Sequence, residues 1–195
     1  MRNKFLLALT TVALSLASAS VYAQTTTWTI DPAHSSVNFT IRHMGVSNVH
    51  GSLGGVKGTV TYNDKDITKS SVEATIDATT ISTGVDARDK DLKSANYFDI
   101  EKYPSLTFKS TSITNNGGKL QLIGDLTLHG VTKTVTLDLD GPAPPQTDAK
   151  GKTRSGFSAE GTLSRTDFNI GSKVPSAVVG SDVKFSIDVE IDKQQ

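Results

Sequence analysis

From Val37 to Ile191 the chain alternates apolar and polar residues with a period of two, segment after segment. That period belongs to a β-strand with one face buried and one face wet, because successive side chains point to opposite sides of a sheet. Val37, Phe39, Ile41 and His43 share one face, with Ser36, Asn38, Thr40 and Arg42 on the other. Val56, Gly58, Val60 and Tyr62 follow, then Val72, Ala74, Ile76 and Ala78, then Leu106, Phe108 and Ser110. Further on come Leu120 to Leu128, Val131 to Leu139, Phe157 to Leu163 and Val183 to Ile191, each alternating in the same way. With a short strand at Thr26–Ile30, the chain reads as all-β. One-face alternation suits antiparallel sheets, whereas strands buried on both faces read as continuous apolar runs.

Turn chemistry separates these segments: Asn63-Asp64, Asn115 to Gly118, His129-Gly130 and Asp148 to Gly151. Gly141-Pro142-Ala143-Pro144-Pro145 cannot enter a central strand, since proline has no N–H to donate to the ladder. One short helix is expected from Asp86 to about Ser94, after the fourth strand region. Asp86 would be its N-cap and Asp89 would stand three residues on. Leu92 would face the sheet, with Tyr97 and Phe98 plugging one end. A series of this kind closes into a barrel or packs as a sandwich. Gly58, Ala74, Ala78, Gly124, Ala159 and Gly161 are small residues on the apolar faces. They either leave room for a ligand in an eight-stranded barrel or permit close sheet packing.

The first residues are set apart. Arg2 and Lys4 precede an apolar stretch from Phe5 to Leu16, and Val21-Tyr22-Ala23 ends in small-residue cleavage chemistry. This predicts a secretory signal peptide over residues 1–23 and one mature domain over residues 24–195. The chain holds 20 basic and 20 acidic side chains and no cysteine. Without a basic patch, nucleic acid is not an expected partner. Without cysteine there is no disulfide staple, so an exported chain must be held by its core alone.

Three of the four histidines, His34, His43 and His50, lie between Ile30 and Gly51. A metal-dependent enzyme built on that trio is one reading. Strand parity works against it, because His43 shares the inward face with Val37, Phe39 and Ile41 while His34 precedes the strand. No HExxH or H-x-H pair is present. The expectation is therefore no metal, no cofactor and no catalytic residue. His34 follows a turn, where it would bond the backbone or Asp31, and His129 reads as a hairpin residue beside a turn glycine. No GxSxG elbow supports nucleophilic catalysis.

Five motifs, in order along nearly the whole mature chain, carry a resemblance. They are Asp31, His34, Ser35, Phe39 and His43 with Val49 and Gly51; Thr83 to Asp89 with Leu92 and Phe98; and Pro104, Phe108, Ser110 and Thr111. Then come Gly124 to Lys133, and finally Arg165, Asp167 and Phe168 with Asp182-Val183. In these the sequence resembles the YceI-like proteins, bacterial periplasmic polyisoprenoid-binding proteins with a lipocalin-like barrel. It departs from the family pattern at Asp91, where a histidine is common, and at Asn169, where glycine is common.

The resemblance implies an antiparallel barrel of about eight strands, a periplasmic address, and a polyisoprenoid or other long-chain lipid inside. Relatives of this kind also suggest a homodimer. Each buried CH₂ contributes roughly 0.8 kcal/mol, so an apolar tunnel is enough to hold a tail, and specificity falls to a few polar groups at the mouth. The apolar lining expected is Val37, Phe39, Ile41, Val60, Ile76, Phe98, Phe108, Leu126 and Phe168. The polar mouth expected is His34, His43, Arg88, Asp89 and Arg165. Asp89 as a helix cap, Arg88 paired to a surface acid, and a two-sheet interaction module with a solid core are the competing readings.

Overall fold

The structure, a computed structural model, describes residues 25–194; the expected signal peptide, residues 1–23, lies outside them. The strands are β1 (Thr25–Ile30), β2 (Ser36–His43), β3 (Ser47–Leu53), β4 (Lys57–Asn63), β5 (Ser71–Asp77) and β6 (Ser105–Asn116). They continue with β7 (Lys119–Leu128), β8 (Val131–Asp140), β9 (Gln146–Thr147), β10 (Thr153–Ser164) and β11 (Val179–Lys193). One α-helix, α1 (Asp86–Lys93), connects β5 to β6.

The strands pair β1–β4–β5–β6–β7–β8–β10–β11, and β11 returns to β1, so eight antiparallel strands close a ring. β11 makes the closure. One edge of it runs against β10 from Asp182 to Asp192. Its other edge meets β2 at its start (Phe39 opposite Phe185) and β1 at its end (Ile30 opposite Ile191). The chain breaks between β1 and β2, and again between β3 and β4. The β2–β3 hairpin therefore extends the barrel wall beyond the end of β1 and β4.

Closure turns every inward parity set into one lining. Trp28, Ile30, Val60, Ile76, Leu126 and Phe168 are all buried in the larger of two apolar clusters. Ile113, Leu122, Leu137 and Ala159 form the second, which fills one end of the barrel. Phe108, Val135, Phe185 and Ile187 pack against both.

Several small inward residues are filled rather than open. Register places Gly51 opposite Phe39 and Gly161 opposite Phe185, so the row Gly51–Phe39–Phe185–Gly161 crosses four strands. The phenyl ring of each phenylalanine occupies the space a Cβ on its glycine would need. Phe108 does the same over Gly124. At these three glycines, close packing is the outcome, and the room left for a ligand lies elsewhere in the barrel.

Local chemistry explains the ends of the elements. His129 and Gly130 form the two-residue β7–β8 turn, both with positive φ (51° and 74°), as a tight hairpin requires. Asn169 stands at φ 60° and ψ 16° after the short 3-10 turn Arg165–Phe168. Asparagine tolerates this left-handed conformation, so the departure from glycine leaves the turn intact. The helix begins one residue earlier than expected: Val85 is the N-cap and Asp86 the first helical residue.

Replacing Gly124 with valine would drive a side chain into the Phe108 ring, 2.5 Å from the position of its Cβ, and toward the Lys109 carbonyl at 2.6 Å. The expected result is a loss of about 1–3 kcal/mol of unfolding free energy, read by urea denaturation. An unchanged midpoint would show that the ring is not packed on this glycine.

Candidate functional site

An apolar cavity of about 200 Å³ occupies the part of the barrel not filled by the second cluster. Its wall is built by β2, β11, the Leu163–Ile170 corner and the segment from Thr83 to Phe98. Parity on β2 aims Val37, Phe39, Ile41 and His43 into it. Parity on β11 aims Val183, Phe185 and Ile187. Leu92, Tyr97 and Phe98, from the helix and the turn after it, close over the cavity from the side. Phe39, Phe98, Leu163, Val183, Phe185 and Ile187 pack against the core yet stay half-buried where they border this space. The cavity reaches solvent where exposed Arg42, His43 and Asp91 border it.

The structure distributes the expected lining residues unevenly. Val37, Phe39, Ile41, Ile76, Phe98 and Leu126 border the cavity. Val60, Phe108 and Phe168 do not. Val60 and Phe168 are buried in the solid core, at 5% and 2% exposure, and Phe108 is committed to Gly124 between the two clusters.

The expected polar mouth also divides. His43 and Arg88 border the cavity. His34 does not; it lies on the outer surface in a concavity with Pro142, Arg154 and Glu190. Its Nδ1 is 2.9 Å from Asp31 Oδ2 and 3.9 Å from Glu190 Oε1. Asp89 is not at the mouth either. Its carboxylate accepts from the backbone N–H of Thr83 at 2.8 Å, from the Thr83 hydroxyl, and from Ser82 Oγ at 3.1 Å. It thereby ties the loop before α1 to the helix. The Thr83 hydroxyl, with its backbone N–H and Ser82, holds the Asp89 carboxyl below its usual range.

Arg165 borders the cavity but is spent on structure. It is 2% exposed. Its Nε donates to Gly180 O at 2.9 Å, Nη1 to Ile170 O and Gly171 O at 2.9 and 2.6 Å, and Nη2 to Val174 O and Val179 O at 2.7 and 2.8 Å. All five N–H groups of a guanidinium are thus used. They gather the Arg165–Gly180 excursion into a folded loop and leave no donor for a ligand.

The three histidines of the first motif are separated. His43 is at the cavity, His34 pairs with Asp31, and His50 meets Thr40 Oγ1 at 3.0 Å on the outer face. Among the described residues, the His/Cys/Asp/Glu group with ligand atoms close enough to share an ion is Asp31, His34 and Glu190, within 4.8 Å of one another. Glu190 is already engaged by Arg154 at 3.2 Å. His129 serves the fold: Nδ1 bonds Phe168 O at 3.1 Å and its ring stands edge-on to Tyr103.

Sequence reasoning missed Leu163, Ile170, Val179, Leu92 and Asp91 as cavity residues. For Leu163, the inward parity of its strand was the available signal. For Asp91, spacing was the signal, since it lies three residues from Arg88 on the same helix face.

A closed, eight-stranded antiparallel barrel with one apolar cavity entered at the β2–β3 end defines a lipocalin-like architecture. The family model for the YceI-like domain matches residues 28–191, and the chain belongs to that family. Protein YceI of Escherichia coli O6:H1 is 38% identical over 190 residues, covering 96% of this chain and 97% of that protein. Among solved structures, Burkholderia cenocepacia BcnA aligns with a TM-score of 0.72 at 24% identity, over 83% of this chain and 98% of that one. A polyisoprenoid binding domain from Saccharophagus degradans aligns with a TM-score of 0.61 at 13% identity, over 86% and 98% of the two chains.

Two measurements check these assignments. Arg165→Met removes five hydrogen bonds to carbonyls of the loop, of which Gly171 O keeps the Val174 N–H, and should lower unfolding free energy by at least about 3 kcal/mol in urea titrations; a loss under 1 kcal/mol (roughly one ordinary hydrogen bond) would contradict the assignment. His34 should titrate above the ordinary histidine value, chiefly through its hydrogen bond to Asp31. Because the folded value is raised, the pair stabilises most below the unfolded histidine pKa and is lost as pH rises through the folded one. NMR titration of Asp31→Asn should bring His34 down; an unmoved value would break the link.

Proposed function

We propose that this protein is a non-enzymatic carrier, exported to the periplasm by cleavage after Ala23, that holds the tail of a polyisoprenoid or similar long-chain lipid in its barrel. One observation carries the reading. The barrel keeps an apolar cavity whose large side chains, Phe39, Phe98, Val183 and Phe185 among them, stay half-exposed in an otherwise packed interior. Apolar surface left facing a void is unfavourable in an empty protein and is stabilised when hydrocarbon covers it. The related fold in Saccharophagus degradans is described as polyisoprenoid binding, which supports the same ligand class here. Among the described residues, no helix is long and apolar enough to cross a membrane.

The cavity of about 200 Å³ is smaller than the ~300–1,000 Å³ usual for ligand pockets. A multi-unit tail therefore enters by moving side chains. Phe98 lines the cavity without full burial, whereas the Phe39 and Phe185 rings are seated on Gly51 and Gly161, so Phe98 is the ring placed to move.

The binding is tested by titrating the mature protein with geranylgeraniol, a four-unit prenyl alcohol. Saturable binding is expected. Val183→Trp, which places an indole in the cavity, should weaken it about tenfold or more, a loss of about 1.4 kcal/mol, with the circular dichroism of the barrel retained. Equal affinity in the variant would move the lipid out of the cavity, and no binding by the parent protein would sink the proposal.

A further inference from the structure

We infer that the rim of the cavity entrance is a membrane-docking surface, on which Met44, Val46, Val85 and Val178 seat the barrel, mouth down, against a lipid bilayer. The inference rests on the tail-binding reading above and adds to it the surface with which the tail is exchanged.

The placement of exposed apolar residues points there. Among the described residues, the large apolar side chains that stand exposed are these four, with Val46 at 82% and Met44 at 61%. They gather at the entrance. Met44 and Val46 belong to the turn between β2 and β3, directly after His43. The Met44 N–H donates to Val178 O at 2.8 Å, so the loop before β11 lies against that turn. His43 and Val179, the next residues inward, pair across the two strands, and both border the cavity. Ser52 and Ser82 exchange backbone hydrogen bonds at 2.8 and 3.0 Å in an antiparallel bridge. The chain after Ser82 therefore runs beside β3 toward the same turn. It places Thr83 on the cavity wall and carries Val85 toward the rim.

Local chemistry does not ask for apolar residues at these positions. Met44 has φ 51°, a left-handed conformation that suits glycine or asparagine better than a long apolar side chain. Val85 is the N-cap of α1 and makes no side-chain cap bond. Serine, threonine, aspartate and asparagine are the favoured caps, and valine is among the poorest. None of the four belongs to either apolar cluster of the core. Residues that break a local rule with no gain to the fold mark functional positions.

Each tip is also braced by an arginine. Arg42 donates to Gly45 O at 2.7 Å and to Asn48 Oδ1 at 3.1 Å, across the β2–β3 turn. Arg165 holds Val174 O and Val179 O, on either side of Val178. Arg88 reaches back past Val85 to Thr83, Nε to Oγ1 at 2.7 Å and Nη2 to the carbonyl at 3.1 Å, with one edge of its guanidinium. The apolar side chains are thus presented on fixed backbone.

A bilayer is the occupant that fits. Four side chains on three tips are few beside the ~20–30 residues a side of a stable protein interface. A protein or a second copy seated on them would also seal the entrance. A bilayer covers the tips and opens the cavity to a source of lipid, so a tail passes between two apolar environments without crossing water. Met44 to Val49 and Val174 to Val179 hold no charged side chain. The charges beside the tips in sequence are mixed, Arg42 and Lys173 against Asp86 and Asp182. Docking is therefore by apolar insertion rather than by attraction to anionic lipid.

The test uses phosphatidylcholine vesicles and the protein without residues 1–23, as the proposed cleavage leaves it. Co-sedimentation should show binding that persists at about 1 M salt, where the screening length is ~3 Å. Val46→Trp should be quenched by phosphatidylcholine brominated in its acyl chains. Lys150→Trp should not, since Lys150 precedes β10 at the end remote from Leu163 and the cavity. The native Trp28 is buried and gives both variants the same background. Met44→Asn, Val46→Ser and Val85→Ser together should weaken vesicle binding about tenfold or more. They should leave geranylgeraniol affinity within about twofold. The urea midpoint should hold or rise, because asparagine suits the turn and serine the cap. A midpoint that falls shows that the side chains serve the fold and overturns the inference. Vesicle binding kept by the triple variant, binding removed by high salt, or equal quenching of both tryptophans does the same. A parent protein that binds geranylgeraniol but not vesicles overturns the docking surface and leaves the tail reading standing. If that protein sediments as a dimer that the triple variant breaks, the rim belongs to a second copy instead. Vesicle binding lost in the triple variant, without any geranylgeraniol binding, upholds the surface and removes the tail reading.

Discussion

The fold depends on one strand shared between two partners on the same edge. β11 is 15 residues long, and no single strand on its β2/β1 side spans it. The first half of that edge belongs to β2 and the last part to β1. This split closes the ring at β11, while β8 meets β10 only at Asp138–Asp140 and β3 ends the sheet as an edge strand. The split also lets the β2–β3 hairpin stand beyond the body of the barrel. The cavity is a consequence: where β2 and β11, paired side by side, run on past the packed core, their inward side chains line one wall of a space that core residues do not fill. α1 and the Tyr97–Phe98 turn cover that space only in part.

The same geometry separates structural polar groups from available ones. A charge near an apolar cavity must be compensated by hydrogen bonds, since an unpartnered buried charge is very costly. Arg165 is compensated completely, by five carbonyls of its own loop, and so it shapes the wall without offering a contact. Arg88 is compensated on one edge only. The difference between the two arginines lies in how many donors each has left rather than in residue type or proximity to the cavity.

Much of the architecture was legible from period-two alternation, and the places where it was not have physical causes. β3 was not recognised as a strand because its central inward residue is Gly51, which contributes no apolar signal; the space belongs to the Phe39 ring across the ladder. β6 was read only to Ser110, although it runs to Asn116. A bulge between Ser110 and Ser112 moves the inward set from even to odd positions, so Ile113 looks misplaced to a fixed period. The small inward residues could be read as room or as packing, and only cross-strand register shows the phenyl rings lying on three of the glycines. For the site, parity placed Val37, Phe39, Ile41 and His43 on the wall. It could not tell wall from solid core at Val60 and Phe168, since both are inward. Nor could it show that Asp89 faces Thr83, because that contact joins the helix to a loop without a period; the His34–Asp31 pair was legible only from their nearness across a turn.

The central claim is that the interior of this barrel is built to be filled by lipid. Native mass spectrometry of the protein, purified without detergent and sprayed from volatile buffer, tests it most directly. The account requires a population heavier than the polypeptide, whose excess mass is released by organic solvent and identified as a long-chain lipid. A single species at the mass of the bare polypeptide, together with no uptake of added geranylgeraniol, would contradict it.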